Sequence, residues 1–370
     1  MAAPAPAAAP INFTQFEAVE ASSCLPRIKA ARARLGERCV LLAHHYQRAD
    51  VYCHADLKGD SLELAKLGAR LDAELIVFCG VHFMAEVADM LTADDQVVVL
   101  PDLAAGCTMA DMASVPKINQ CWRELGEVLD PDAAVTPVTY INSSAALKAF
   151  CGRHGGITCT SSNAGEILRW AWARREKVLF FPDQHLGRWT ALQAGVPRED
   201  MAVWDYNRPR GGLTEEQIAK ARILLWKGHC SVHQMFQPRH VHEWREENPD
   251  GQVIAHPECD IGVCELADSV GSTGHIVKTV SAAPPGSKWL VGTELNLVQR
   301  LAEEGKARGV SVRFMSPMVC MCSTMARIDP PHLAWCLESL ADGNVVNQIK
   351  VAPEVRAEAV VALERMFALK

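Results

Sequence analysis

Short apolar runs rich in β-branched residues alternate with amphipathic helical patterns, and this alternation occurs three times along the chain. The first series lies at 39–100, the second at 134–182 and the third at 252–315. The alternation is typical of parallel βαβ units, because parallel strands are joined by a crossover that is usually a helix. The sequence therefore predicts an α/β fold of three similar three-layer αβα domains with parallel sheets in a pseudo-threefold arrangement.

Each series predicts its own strands and helices. The predicted strands are CVLLAHHY (39–46), LIVFCG (75–80), VVVL (97–100), AVTPVTYIN (134–142), GITCT (156–160), KVLFFP (177–182), QVIAHP (252–257), GSTGHIVKTV (271–280), KWLVGT (288–293) and VSVRFM (310–315). The predicted helices lie near 61–71, 83–92, 143–150, 163–174, 259–267 and 294–308, with further helical segments at 214–226 and 331–368 as connectors or closing elements.

A length of 370 residues is also more than one small domain usually needs. We expect an N-terminal tail and helix at 1–34, and a first α/β domain formed by 35–107 together with closing helices in 323–370. A second domain is expected at 108–230 and a third at 231–322.

Composition and charge exclude several classes of function. Hydrophobic residues make up 49% of the chain, charged residues 22%, and the net charge is -7 without a long Lys/Arg run. This balance argues against nucleic acid or an anionic membrane as a partner. The start MAAPAPAAAP lacks the features of a secretory signal, and no window approaches the ~20 apolar residues of a membrane span. We therefore expect a soluble cytoplasmic protein whose first ten residues form a tail.

Fourteen cysteines are better explained in such a protein by buried thiols and metal ligands than by disulfides. Cys107 and Cys230 lie in Gly-flanked polar segments that can expose a thiolate, and Cys322 lies in a Cys-Met-Cys pair with Cys320. Their spacing matches no compact ferredoxin or zinc-ribbon pattern. We expect eight others to be small buried hydrophobes, namely Cys24, Cys39, Cys53, Cys79, Cys121, Cys151, Cys159 and Cys336.

Polar side chains follow several of the predicted strands directly. In an open parallel sheet, ligands bind just beyond the carboxyl ends of the strands, so these side chains are candidate site residues. They are His44, Tyr46, Asn142, Ser161, His256 and Glu258.

A dozen short segments carry a more specific signal. They are AHHYQ (43–47), GDSLELA (59–65), GVHFMAE (80–86), AGCTMADM (105–112), YINSSA (140–145), TSSNA (160–164), PDQHLGRW (182–189), GHCSVHQMF (228–236), HPEC (256–259), STGHIVK (272–278), GTE (292–294) and CSTM (322–325). In these segments, and in their order along the chain, the sequence resembles the quinolinate synthase family.

The resemblance implies a central 4Fe-4S cluster held by one cysteine from each of three domains, here Cys107, Cys230 and Cys322. It implies that the fourth iron is open to substrate and acts as a Lewis acid. In the family the third ligand is followed three residues later by Met, so Met325 selects Cys322 and leaves Cys320 spare. The redox disulfide linked to a C-x-x-C-x-x-C run is not carried over, because this chain has only Cys-Met-Cys here.

The implied reaction condenses iminoaspartate with dihydroxyacetone phosphate to quinolinate, phosphate and water in NAD biosynthesis. A transient contact with L-aspartate oxidase is implied as a source of iminoaspartate. The resemblance assigns the grip on iminoaspartate to His44 and Ser61, whereas the residues alone favour a hydrogen-bonded strand-end histidine and a helix N-cap. Asp60 is an equally good cap, and His45 is interpreted as neighbouring structure.

The remaining binding roles also come from the resemblance. Tyr46 is implied as a proton shuttle, and Tyr140 and Asn142 as substrate-positioning residues, although a tyrosine at a strand end is more often a packing residue. Donors for carboxylate or phosphate oxygens are implied in Gly/Ser-rich turns, which are otherwise ordinary turns. These donors are Ser161, Ser272 and Thr273.

Glu258 and His256, held by Pro257 after an apolar strand, form the best general acid/base pair in the chain. We expect both to contact substrate and Glu258 to be the main base, and His233 is a second candidate proton shuttle. The alternative is a structural hydrogen bond at a domain edge.

Three other classes of protein remain open from the sequence. One is a different 4Fe-4S hydro-lyase, although its usual local C-x-x-C pair is absent at Cys107 and Cys230. Another is a non-enzymatic iron-sulfur electron carrier or oxygen sensor, which would need four protein ligands for its cluster. The third is a zinc protein, disfavoured because no fixed fourth ligand is evident.

Overall fold

The computed structural model describes residues 11–68, 70, 72–319 and 321–369. The predicted tail at 1–10 and the spare cysteine Cys320 lie outside the described residues. Among the described residues, no helix combines the length and the apolar character that crossing a membrane requires.

The strands of the described chain fall into three sheets. In chain order they are β1 Cys39–His44, β2 Leu57–Gly59, β3 Leu75–Cys79, β4 Val97–Val99, β5 Val135–Tyr140, β6 Ile157–Cys159, β7 Lys177–Phe181, β8 Met201–Trp204, β9 Ile223–Trp226, β10 Gln252–Ala255, β11 Ser269–Val270, β12 Lys288–Gly292, β13 Ser311–Phe314 and β14 Gln348–Ile349.

Helices occupy most of the connections between these strands. They are α1 Ala21–Leu35, α2 Ala49–Tyr52, α3 Ser61–Gly68, α4 His82–Leu91, α5 Thr108–Asp111, α6 Val115–Leu125, α7 Pro131–Ala134, α8 Ala145–Arg153, α9 Ala164–Trp172, α10 Gln184–Gln193, α11 Glu215–Lys220, α12 Pro238–Glu247, α13 Ile261–Leu266, α14 Thr273–Ser281, α15 Leu295–Lys306, α16 Pro330–Ala341 and α17 Pro353–Ala368.

The chain divides into two compact units, of which the first comprises 1–106 and 322–351. Its sheet has the order β14-β4-β3-β1-β2, in which only β14 is antiparallel to its neighbour. Strand β3 has the sequence LIVFC and is buried at every position, as expected for a central strand of a parallel sheet covered on both faces. Helix α1 packs against α16.

The second unit comprises 107–321 and 352–370 and contains the other two sheets. Their strand orders are β6-β5-β7-β9-β8 and β11-β10-β12-β13, and every pairing in them is parallel. Strands β5, β7 and β9 are buried along their whole length. In parallel sheets all the carboxyl ends meet at one edge, so each of these sheets presents one edge where loops can build a site.

The predicted α/β class, with three sheets of mostly parallel strands, is confirmed. Two segments were assigned wrongly. The run 271–280 forms the N-capped helix α14 rather than a strand, because Ser272 accepts a hydrogen bond from the His275 N–H. The segment 214–226 is a helix only as far as Lys220, and its apolar end forms β9, a buried strand inside its sheet.

The final helix, α17, lies in the second unit, where it packs against α8 and β6. The approach is close enough that a Cβ on Gly152 of α8 would collide with the Glu358 backbone. The sequence prediction had grouped this helix with the first domain. The division into three domains at 107, 230 and 322 stays a prediction.

Candidate active site

The predicted site residues of the second unit lie where its parallel strands end. Tyr140 is the last residue of β5, and His256 directly follows β10. Ser161 lies two residues after β6, Cys230 lies in the loop after β9, and Ser272 lies in the turn after β11. Because all these strands run parallel within their sheets, the chain brings its polar side chains to the sheet edges at which ligands bind.

Glu258 lies at the centre of this group and is buried. Its Oε2 is 2.9 Å from the Nδ1 of His233, and its carboxylate also accepts a hydrogen bond from Tyr140. The Oε1 is 3.9 Å from the Nδ1 of His256, which accepts the Glu258 N–H at 3.3 Å. The closest imidazole to the carboxylate is therefore His233, although the sequence had pointed to His256.

The surroundings of Glu258 favour its charged form. Burial alone would raise the pKa of this carboxyl, but the imidazoles of His256 and His233 and the hydrogen bonds from His233 and Tyr140 lower it below the usual range. Burial, reinforced by the neighbouring His233, lowers the pKa of His256 to about 3 although Glu258 opposes the shift. Near neutral pH the site thus combines a carboxylate with a neutral imidazole, and both are in the unprotonated form that a general base needs.

Two neighbours of this group did not stand out in the sequence. The Nε2 of His233 lies 3.3 Å from the Oγ1 of Thr293, and the Gln234 side chain donates to the Glu258 backbone oxygen at 3.2 Å. The His233 ring also stacks on that of His256 with centroids 4.7 Å apart. Thr293 directly follows β12 within the GTE segment, so its position after a strand end was the available signal.

Cys107 and Cys230 lie on segments that are tied together within the second unit. Cys107 is the N-cap residue of α5, and Met112 follows that short helix. The Met112 backbone oxygen accepts from the indole N–H of Trp226 at 3.0 Å, and its sulfur accepts from the His229 N–H at 3.4 Å. The segment after Cys107 is therefore held against the residues that immediately precede Cys230.

Burial separates the three predicted ligand cysteines from the other described cysteines. Cys107, Cys230 and Cys322 are half-buried, whereas the others are buried, apart from Cys53. The prediction that Cys53 is a buried hydrophobe is wrong, because it follows the short helix α2 at the surface. Burial raises the pKa of the remaining thiols, as it does to about 11 for Cys39, and keeps them protonated and unsuited to bind metal.

Glu258 is also one of three side chains whose donor atoms lie close enough together to bind a metal ion. One donor atom from each of Cys230, His233 and Glu258 can be chosen so that all three lie within 4.8 Å of one another. A thiolate, an imidazole and a carboxylate are ordinary ligands of transition metals. The half-buried cysteines and this group of donors are consistent with a metal cofactor.

A buried lysine donates hydrogen bonds to the turn after β5 and stabilises it. Lys148 of α8 is fully buried, and its ammonium donates to the Ile141 backbone oxygen at 2.9 Å and to the Ser143 backbone and hydroxyl oxygens. Asn142 lies between these two residues, and its buried Oδ1 has no hydrogen-bond partner among the described residues. A buried amide oxygen without a partner is costly, so this atom is a candidate for binding a ligand donor.

Ser161 lines a cavity of about 160 Å³ that also contacts Pro257 and Gly271. This cavity connects the end of β6 with the ends of β10 and β11. Ser272 and Thr273 follow Gly271 and are buried, but the Ser272 oxygen already accepts the His275 N–H as a helix cap. An anion would have to bind through the Ser272 hydroxyl proton, because an anion accepts hydrogen bonds and the cap uses only an acceptor site of this oxygen.

The first unit brings His44 and Ser61 to neighbouring strand ends. His44 ends β1, pairs in register with Gly59 of β2, and accepts the Tyr46 N–H at 3.1 Å. Asp60 is the cap of α3, because its Oδ1 accepts from the N–H groups of residues 62 and 63, each at 3.0 Å. Ser61 is consequently not the cap of this helix and is half-buried at its first turn.

Cys322 lies in the first unit, ahead of a short 3-10 turn that begins at Met325. Its sulfur is 3.5 Å from the Thr324 hydroxyl, and its backbone oxygen accepts the Ala326 N–H at 2.9 Å. Met325 itself is buried and anchors this turn. The thiol is thus held on an ordered turn rather than in the core.

Comparisons with known proteins agree with this description. Residues 26–368 match the family described as quinolinate synthetase A protein. Curated relatives named quinolinate synthase include one from Herpetosiphon aurantiacus, 55% identical over 92% of this chain and 91% of the relative. Others are from Rhodopirellula baltica, at 50% over 96% and 93%, and Streptomyces coelicolor, at 54% over 93% and 87%. With this agreement over nearly its whole length, the chain belongs to the quinolinate synthetase A family of NAD-biosynthetic enzymes.

Proposed function

We propose that the chain condenses iminoaspartate with dihydroxyacetone phosphate and closes the product to quinolinate, with release of phosphate and water. The family match over 26–368 supports the product. The observation that carries the chemical proposal is the buried Glu258, whose carboxylate contacts His233 and accepts from Tyr140. Ring closure and aromatisation require protons to be removed and returned, and this group holds and moves them.

We assign a 4Fe-4S cluster to Cys107, Cys230 and Cys322. The half-burial of these three thiols supports the assignment, since other described thiols are almost all enclosed in the core. When bound, such a cluster with one open iron supplies a Lewis acid for substrate oxygen. Three ligands also disfavour an electron carrier, which would have all irons held by protein.

Proton transfer is assigned to the chain's own side chains. Glu258 removes protons from the carbon skeleton and later returns them, and His233, whose Nδ1–H donates to the Glu258 carboxylate across 2.9 Å, is the second proton shuttle of the group. Thr293, 3.3 Å from Nε2 of His233, fixes the ring orientation. His256 is neutral and accepts the Glu258 N–H, so we assign it to orienting Glu258 and to contacting substrate.

Binding of the two anionic substrates is assigned to donors at the strand ends. His44 and Ser61 hold a carboxylate of iminoaspartate, with Tyr46 as a proton shuttle. Asn142 and Tyr140 orient the substrate. Donation to carboxylate or phosphate oxygens falls to Ser161, Ser272 and Thr273. We further propose a transient contact with L-aspartate oxidase, because iminoaspartate is unstable in water.

The test is quinolinate production by anaerobically reconstituted protein supplied with dihydroxyacetone phosphate and with iminoaspartate generated in place. Iron, sulfide and visible absorbance are measured on the same sample. We expect a brown protein that forms quinolinate and loses activity in air. A brown protein without product would favour another hydro-lyase or an iron-sulfur sensor, and a colourless protein would remove the cluster from the proposal.

A further inference from the structure

A second buried carboxyl group, Asp183, lies near Glu258 and has no part in the roles assigned above. Asp183 follows β7 and is fully buried. Its backbone pairs with Gly228, and the neighbouring Gln184 N–H donates to the Gly228 oxygen at 3.1 Å. Gly228 lies two residues before Cys230, so Asp183 is placed directly beside the turn that presents this cysteine.

The two carboxyl oxygens of Asp183 differ in their hydrogen bonds. Oδ1 accepts from the N–H groups of His185 at 2.6 Å and Leu186 at 3.0 Å, and thereby caps the ten-residue helix α10. Oδ2 is buried and has no hydrogen-bond partner among the described residues. A buried ionised oxygen without a partner is far more costly than a neutral hydroxyl at the same place, so this geometry favours a proton on Oδ2.

The balance of the charged and titratable groups around Asp183 also favours its protonated form. From the segment after β10 it faces the Glu258 carboxylate, from that segment and α13 the buried thiols Cys259 and Cys264, and from its own helix Arg188. Burial raises the pKa of Asp183, Glu258 raises it further, and the helix-start N–H groups and Arg188 oppose the shift only in part.

Of the two carboxyl groups, Glu258 is the one that the site equips to be ionised. It contacts the His233 imidazole and accepts from Tyr140, whereas Asp183 receives only backbone N–H groups on one oxygen. Two buried carboxyl groups whose surroundings favour opposite protonation states share a single negative charge, which here lies on Glu258.

We propose that Asp183 is a positioning residue that carries a proton on Oδ2 at neutral pH, holds α10 against the Gly228 turn, and leaves the negative charge on Glu258. A negative charge on Asp183 would disfavour the ionised form of Glu258, because like charges repel each other in a buried site. The protonation is a property of the folded chain. Only the effect on turnover rests on the function proposed above.

The direct test is the infrared difference spectrum between the wild-type protein and Asp183→Asn at neutral pH, in H₂O and D₂O. Asparagine keeps the acceptor at Oδ1 and places a donor at Oδ2, so it imitates the neutral acid. We expect the wild type to show the carbonyl band of a protonated carboxylic acid, shifted in D₂O and absent from the variant. Bands of an ionised carboxylate in its place would overturn the proposal.

Turnover supplies the second readout, with iron content measured on each protein. Asp183→Ala removes the cap and should lose on the order of tenfold to a hundredfold in turnover, because the Cys230 turn and Glu258 are displaced. Asp183→Asn should recover most of that loss. A variant Asp183→Asn as impaired as Asp183→Ala would show that the charge is required and would refute the neutral role.

The infrared result stands if Asp183→Ala does not fold, because it uses only the conservative variant. It also stands apart from the proposed function. A protonated Asp183 in a protein that makes no quinolinate would retain the inference on protonation and reject the function, whereas an ionised Asp183 in an active enzyme would do the reverse.

Discussion

Replacing Glu258 by glutamine tests the assignment of the general base with the smallest change of shape. The amide keeps one acceptor oxygen but removes the negative charge and the ability to accept a proton. Loss of a positioned general base typically costs 10²–10⁴-fold in rate, and we expect a fall of about that size in turnover. Cys107, Cys230 and Cys322 are untouched, so bound iron should be retained.

The structure also gives the expected effect on stability. Glu258 accepts from Tyr140 and contacts the Nδ1 of His233, and both neighbours are buried. Glutamine satisfies one of them and turns its NH₂ toward the other, which leaves one buried polar contact unmade. One such group costs about 1–3 kcal/mol, so we expect a loss of unfolding free energy in that range rather than a failure to fold.

The assay compares turnover, iron content and the denaturation midpoint of Glu258→Gln with those of Glu265→Gln. Glu265 lies on α13 in the same unit and forms a surface ion pair with Arg198, whose loss costs at most about 1 kcal/mol. The control should have the activity of the wild type. Turnover of Glu258→Gln within a few-fold of the control, with iron retained, would refute the assignment of Glu258 as the base.

Three further outcomes follow from the same contacts. Cys322→Ala should lose bound iron and visible absorbance while Cys320→Ala keeps them, and the reverse pattern in iron analysis would exchange the two cysteines. Lys148→Met should leave buried carbonyl oxygens without a donor and lower the unfolding free energy by about 2–4 kcal/mol in urea titrations. It should also raise KM, because the turn that carries Asn142 loosens. An unchanged KM would show that this lysine does not contribute to substrate binding. Gly152→Ala should destabilise the protein by about 1–3 kcal/mol because its Cβ collides with α17, whereas Gly68→Ala, with its nearest neighbour at 3.9 Å, should be neutral or stabilising in thermal unfolding; equal effects would contradict the packing described.

The rhythm of apolar runs predicted the α/β class because each strand carries its own signal. LIVFC in β3 and KVLFF in β7 are short, continuous and buried on both faces. Strand β9 was missed because only Ala221 and Arg222 separate ILLW from the preceding helix, and neither is a typical turn residue. The edge strand β8, MAVW, is only partly buried and too short to show a period of its own.

Site residues were predictable where a polar side chain directly follows an apolar strand, as for His44 and Glu258. The partner of Glu258 was not, because the distance between His233 and Glu258 depends on how loops after two different strands meet. Asp183 caps a helix that follows β7, as many surface aspartates do, and only its burial and the unpartnered Oδ2 separate it from a surface cap. The distance between His233 and Glu258 and the burial of Asp183 depend on the tertiary structure rather than on the local sequence pattern.

The origin of the product carbons tests the central claim most directly. Reconstituted protein would be given dihydroxyacetone phosphate labelled with ¹³C at every carbon and unlabelled iminoaspartate generated in place, and the quinolinate formed would be analysed by mass spectrometry. We predict quinolinate that carries all the carbons of the labelled substrate, with release of one phosphate per molecule formed. Iron-loaded protein that consumes neither substrate, or forms unlabelled product, would contradict the account.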